Sequence, residues 1–173
     1  MPTRGRRISP SRLLEFLELV GQELPRKVVL VAAGGTAMTL LKVKPSTRDV
    51  DFTGPGEDID VFRRTLDTLP HGMKVDTWPD GQVFSQFLPA DYITRSRKVK
   101  QVQNIDLRAL HPVDIIVTKI GRLDDRDKQD IRDCIRAFRI RKPAVARRAS
   151  QVEYVGNAEN FEYQIQYALQ HFF

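Results

Sequence analysis

The sequence predicts an α+β (α/β) domain: a small mixed β-sheet flanked by helices, with a helical C-terminal part. Three observations carry this expectation. Apolar, β-branched runs alternate with segments of helical period as far as Leu110, and beyond it the periodic segments are helical. The apolar run Val28 to Ala33 stops on Gly34-Gly35, the punctuation of a strand that turns into a helix. A chain of 173 residues, 41% hydrophobic and 29% charged, suits one ordinary globular core and is short for two. The expected unit is therefore a single domain over 1–173, with 1–8 disordered and 139–173 forming a C-terminal helical extension.

Each element has its own signal. Ser9 and Pro10 read as the cap and first residue of a helix, which Leu13, Leu14, Leu17, Val20 and Leu24 continue at helical spacing. Val28 to Ala33 reads as a buried strand and Thr36 to Leu41 as a short helix leaving the glycine turn. Lys44 to Thr47 is a loop, because Pro45 moves its predecessor out of helical geometry. Asp49 to Thr53 is a second strand, closed by Gly54-Pro55-Gly56. Ile59, Phe62, Leu66 and Leu69 mark a helix that stops at Pro70, and Met73 to Trp78 is a third strand carrying Asp76. Val83 to Leu88 reads as a strand followed by a basic, turn-rich segment, and Val102 to Leu110 as the next strand. His111-Pro112 opens a helix with Asp114 in its first turn, where a carboxylate suits the helix dipole. Asp127 to Phe138 is a further helix on the stripe Ile131, Cys134, Ile135 and Phe138. After a basic connector, Phe161, Ile165, Ala168, Leu169 and Phe172 give a terminal helix.

Composition removes several classes. No apolar run is long enough to span a bilayer, so no membrane partner is expected. The basic stretch Met1 to Pro10 has no apolar segment behind it, so a secretory signal is not expected and the expected compartment is the cytoplasm. One cysteine, Cys134, excludes an internal disulfide and a cysteine-built zinc site. The net charge is +6, and the basic residues cluster at Arg4 to Arg7, Arg95 to Lys100 and Arg139 to Arg148. Any one cluster reads as a solvated face; three together point to an anionic partner such as a nucleotide or nucleic acid.

The chemistry concentrates between Val28 and Phe52. Side chains two apart on a strand share a face, so Asp49 and Asp51 project together. Two neighbouring carboxylates raise one another's pKa unless a cation sits between them, and a hard divalent ion with phosphate oxygens fits that need. Asp76, on the next strand, is placed to be a third carboxylate, with Asp106 as a rival on a later one. The glycine turn ahead of a helix offers close backbone approach and free N–H groups to a phosphate. Taken singly, each feature has a structural explanation: an exposed Asp-x-Asp, a tight glycine turn, a turn aspartate. Their combination carries the argument.

Gly34-Gly35, thirteen intervening residues, then Asp49-Val50-Asp51-Phe52 resembles the signature of the nucleotidyltransferase superfamily, the polymerase-β-like fold. The details resemble most the minimal AbiEii-like and MenT-like toxin branch and its uncharacterised relatives. Gly34-Gly35-Thr36-Ala37 stands for Gly-Gly-Thr-Ala, Thr47-x-Asp49-x-Asp51 for Thr-x-Asp-x-Asp, and Val75-Asp76 for Val-Asp. A later helix start at His111-Pro112, then Lys119, Arg122 and Arg126 to Ile131, matches the downstream pattern. The arginine found two before the threonine is Pro45 here, with Lys44 adjacent.

The resemblance implies roles residue by residue. Gly34, Gly35, Thr36 and Thr47 would hold the nucleotide, with Lys119 neutralising its phosphates. Asp49, Asp51 and Asp76 would bind Mg²⁺ or Mn²⁺, Asp76 also acting as general base, and Asp127 would fix Lys119. The implied reaction moves a nucleoside monophosphate from a nucleoside triphosphate to an acceptor. The basic clusters favour RNA over a small neutral acceptor. That branch also implies a toxin-like role and an antitoxin partner. The alternative is a catalytically silent nucleotide-binding or nucleic-acid-binding regulatory module of the same fold.

Overall fold

Ser9 accepts a hydrogen bond from the Arg12 N–H through its Oγ, and Pro10 enters directly behind it, so the first helix begins where its donors would otherwise be orphaned. This is α1 (Pro10–Glu23) in a computed structural model that describes residues 6–173. The main sheet follows from five segments: β1 (Val28–Ala32), β2 (Val50–Gly54), β3 (Val75–Pro79), and two later strands, β6 (Arg97–Val102) and β7 (Ile105–Ala109). Their order is β3-β2-β1-β7-β6, with β1 parallel to β7 but antiparallel to β2. Strand β2 runs parallel to β3, and β6 antiparallel to β7, so the sheet is mixed. The apolar run that ends on glycine is its central strand, almost wholly buried.

Helix α2 (Gly34–Leu40) leaves β1 at once, and α3 (Gly56–Asp67) links β2 to β3. Phe52 meets Phe62 of α3 with ring centroids 5.8 Å apart. Alternation along β2 then turns Asp51 to the opposite face, the side on which α2 begins. Helix α5 (Pro112–Ile120) is buried throughout, and α6 (Asp125–Phe138) packs against it. A second, three-stranded sheet is built from β4 (Gln82–Val83), β5 (Gln86–Phe87) and β8 (Glu153–Tyr154). The remaining helices are α4 (Tyr92–Arg95), α7 (Lys142–Ala149) and α8 (Ala158–His171). Among the described residues, no helix is long and apolar enough to cross a membrane.

Four expectations are corrected. Of the expected disordered stretch 1–8, residues 1–5 lie outside the described residues, but Ile8 is buried and exchanges two backbone hydrogen bonds with Thr47. Val83 to Leu88 is a two-strand hairpin with Phe84 at φ 54°, a conformation that a phenylalanine does not advertise. The basic, turn-rich segment contains α4 and then β6, an edge strand whose register shifts between Lys98 and Lys100, so Val99 and Val102 do not alternate. The basic connector after Phe138 contains α7, and β8 then joins the second sheet.

Helix α7 is held by an ion pair that closes the C-terminal part onto the core. Arg148 is 2% exposed and grips the fully buried Asp114 of α5 with two nitrogens, while its Nη1 reaches Asp91 at 3.0 Å. Two parallel N–H···O bonds make such a fork geometrically demanding. Arg148→Met leaves Asp114 buried with only the longer Arg95 contact, 3.9 Å, to compensate it, and urea unfolding should record a loss of about 3 kcal/mol. The paired replacement Arg148→Met with Asp114→Leu should recover more than half of that loss. No recovery would mean that the cost lies in packing rather than in the orphaned charge.

Candidate active site

The carboxylate strand is tied to the glycine helix by one buried hydroxyl. Thr36 Oγ1 donates to the Asp49 carbonyl at 2.9 Å and accepts the Asp51 N–H at 2.9 Å. Thr47 Oγ1 donates to the same Asp49 carbonyl at 2.8 Å, and the Ala33 N–H donates to the Asp51 carbonyl at 3.0 Å. A Cβ on Gly35 would sit 2.9 Å from Thr47 Oγ1, so glycine is required for Thr47 to come this close. Gly34 has φ 53°, the left-handed region in which glycine carries no penalty. The hydroxyls of Thr36 and Thr47, expected at the nucleotide, are thus engaged with the backbone of the carboxylate strand.

Register brings in the third carboxylate. Asp51 on β2 pairs with Asp76 on β3, and parallel partners share a face. Asp49, Asp51 and Asp76 all border one cleft of about 340 Å³, together with Gly35 and Thr47. Asp106 stands apart from it on β7, opposite Val29, with Arg108 at 3.6 Å. Burial pushes the Asp51 carboxyl up to about 7; Asp49 and Asp76 add to the shift, and Arg122 and Lys119 only partly oppose it. Among the described residues, no three carboxylate, histidine or cysteine side chains stand close enough to form a ready-made metal cage.

The facing wall is cationic and comes from α5, α6 and the loop after α2. Lys119 is 2% exposed, with Nζ 2.9 Å from Asp130 and 3.4 Å from Asp127. Asp130 also takes Lys44 at 3.1 Å. Arg122 makes a fork on Asp127, both bonds 2.8 Å long. Asp127 is fixed a second time by the start of α6. Its N–H donates to Asp124 while its own carboxylate accepts the Asp124 N–H. Burial alone would raise the Asp127 pKa, but the Arg122 fork and Lys119 hold it below the usual carboxylate range. Arg122 also lies over the Phe84 ring, 4.5 Å from its centroid, and Phe84 meets Trp78 edge-on at 5.3 Å.

A strand-turn-helix with clustered carboxylates, facing fixed cations across a cleft, is the geometry on which the comparison with known proteins bears. Residues 11–172 match the family described as "Nucleotidyltransferase of unknown function (DUF6036)". The chain belongs to this family. No curated protein and no solved structure gives a significant match. In this member of the family, Gly35, Thr47, Asp49, Asp51, Asp76, Lys119 and Asp127 share the cleft lining. Thr36 lies behind it, and Gly34 borders it through Asp51 and Phe84.

Several cleft residues had only weak signals in the sequence. Lys44 and Asp130 lie 86 positions apart, and nothing local announces their pairing. Arg122 and Asp130 fell within the downstream pattern, with no role assigned to either. Arg48, Lys74 and Arg126 line the cleft as further cations, and Trp78 and Phe84 as its aromatic part.

The raised Asp51 pKa has a definite sign. In the metal-free protein the folded state retains a proton between about pH 4 and 7 that the unfolded state has lost, so stability falls as pH rises through that window. Asp51→Asn removes this dependence. In chelator, the variant should gain on the natural protein from pH 4 to 7, by roughly 3 kcal/mol at most, and run parallel to it above pH 7. Urea unfolding from pH 4 to 8 makes the comparison. Parallel curves throughout would refute a carboxyl held protonated by burial.

Proposed function

We propose that this nucleotidyltransferase moves a nucleoside monophosphate from a nucleoside triphosphate to an acceptor hydroxyl in the cleft between β2, β3 and α6. The observation that carries the reading is the buried Asp51, set beside Asp49 and Asp76 and opposite the Lys44, Lys119 and Arg122 wall. Carboxylates gathered without donors call for a cation. Lys44, Lys119 and Arg122 outnumber Asp127 and Asp130, with Arg48, Lys74 and Arg126 also on the lining, so a positive excess is left that favours an anion. A metal-bound triphosphate supplies both. Oxygen ligands of this kind suit Mg²⁺ or Mn²⁺, which commonly binds one or two carboxylates and fills its remaining positions with phosphate and water. Asp49 and Asp51 are the carboxylates we assign to it; such an ion would polarise the α-phosphate and stabilise the departing pyrophosphate.

The chain's own residues do the rest. Asp49 and Asp51 are aimed by backbone hydrogen bonds through Thr36 and Thr47, so their direction does not depend on the ligand. Lys119 and Arg122 present their charge from pinned positions, giving a field already in place when charge develops on the transferred phosphate. Asp76, at the open edge of the sheet, is the group we assign to accept the proton of the acceptor hydroxyl. Attack in line on the α-phosphate then makes the new ester bond and releases pyrophosphate. Arg48, Lys74 and Arg126 on the cleft lining favour an anionic acceptor, and RNA is the one we propose.

The test is label transfer from an α-labelled nucleoside triphosphate to bulk RNA in Mg²⁺ or Mn²⁺. Asp49→Asn and Asp51→Asn should bring transfer to background, and Asp76→Asn should reduce it roughly 10²–10⁴-fold while leaving the fold intact by circular dichroism. Undiminished transfer in Asp51→Asn would end this reading.

A further inference from the structure

Resting on the nucleotidyl-transfer reading, we propose that Trp78 and Phe84 form the nucleobase subsite of the cleft. The base of the bound nucleotide stacks on this aromatic wall while its phosphates lie against the cations. These two rings are the aromatic part of a lining otherwise made of charged side chains, Gly35 and Thr47. They arrive from separate elements. Trp78 shares a face of β3 with Asp76, two residues away, and Phe84 sits at the tip of the β4–β5 hairpin.

Their setting ties them to the reacting end. A Cβ built on Gly34 would lie 3.3 Å from Phe84 Cζ and 3.4 Å from Asp51 Oδ2, so the ring borders the buried carboxylate. Arg122 spans both halves of the cleft: its nitrogens hold Asp127, and its guanidinium covers Phe84. Phe84 keeps φ 54°, which an aromatic residue rarely adopts, and contacts with Trp78 and Arg122 surround it there. Trp78 is only half-buried although tryptophan is the largest apolar side chain available, and it occupies an edge strand facing the cleft. A nucleotide has the same division as this lining: a polyanion joined to a flat aromatic. Stacking engages a base by its face, which all four bases present alike.

The chain contains one tryptophan, so Trp78 emission reports this wall without labelling. The full chain in Mg²⁺ is titrated with ATP and, separately, with inorganic tripolyphosphate, and affinities are measured by calorimetry. ATP should quench Trp78 emission to a plateau. Tripolyphosphate should displace ATP and restore emission without quenching by itself. Trp78→Leu and Phe84→Leu should each weaken ATP binding roughly 10-fold or more while leaving tripolyphosphate affinity unchanged, and Trp78→Phe should retain most of it. ATP that binds, is displaced by tripolyphosphate and leaves the emission of the natural protein unchanged would overturn the base subsite alone. Binding of neither ligand would overturn the nucleotide reading and this subsite with it.

Discussion

The site depends on a shared carbonyl. Asp49 O receives the hydroxyls of both Thr36 and Thr47, and Thr36 accepts the Asp51 N–H in return. The backbone between the two aspartates is therefore fastened from α2 on one side and from the preceding loop on the other. Because these bonds go to backbone, both carboxylates are aimed without being consumed: among the described residues, neither accepts a hydrogen bond from a side chain. The same clamp explains Gly35. Its missing Cβ makes room for Thr47 Oγ1, so the glycine pair serves the carboxylate strand as much as any phosphate.

Across the cleft the constraint is electrostatic. Lys44, Asp130, Lys119, Asp127 and Arg122 form a chain of alternating charge, most of it out of water. A buried lysine is costly unless paired, and here two carboxylates compensate Lys119 while the Asp124 capping box holds one of them in place. The cations are thus stationary. They exert a field on the opposite wall rather than reaching for it. That field opposes the rise in the Asp51 pKa and does not cancel it, because burial and two neighbouring carboxylates weigh more.

Local features were legible in the sequence, and distant ones were not. The β1–α2 turn, Asp49 just ahead of β2, and Asp51 on it all lie between Val28 and Gly54, where period and spacing speak directly. Asp76 needed only the register of a neighbouring strand, which separates it from Asp106. The Lys44–Asp130 and Asp114–Arg148 pairs cross 86 and 34 positions, and charges on helices are ordinarily solvated. Strand β6 escaped because a register shift breaks its alternation, and the β4–β5 hairpin because a phenylalanine occupies its turn where glycine or asparagine is the usual signal. The roles of Thr36 and Thr47 were hidden for another reason. A hydroxyl at the right spacing suits a phosphate or a carbonyl equally well, and only geometry shows the carbonyl being used.

Three unusual features of the chain meet in one place. A carboxylate buried among carboxylates, a buried lysine and a phenylalanine with positive φ all meet at one cleft, although they come from β2, α5 and the β4–β5 hairpin. Positive φ also occurs at Lys42, Asp80, Gln103, Leu123 and Arg139, in connections between elements, so backbone conformation alone does not single out the cleft. The combination does: a buried carboxylate with two carboxylate neighbours faces a buried lysine there, and a ligand gives that arrangement a use. The ligand proposed above answers these features together: a positive charge for Asp51 and its neighbours, a negative charge for the cation-rich wall, and an aromatic face for the rings. A metal-bound nucleotide meets the three demands in one molecule, and a metal ion or a phosphate alone meets only one.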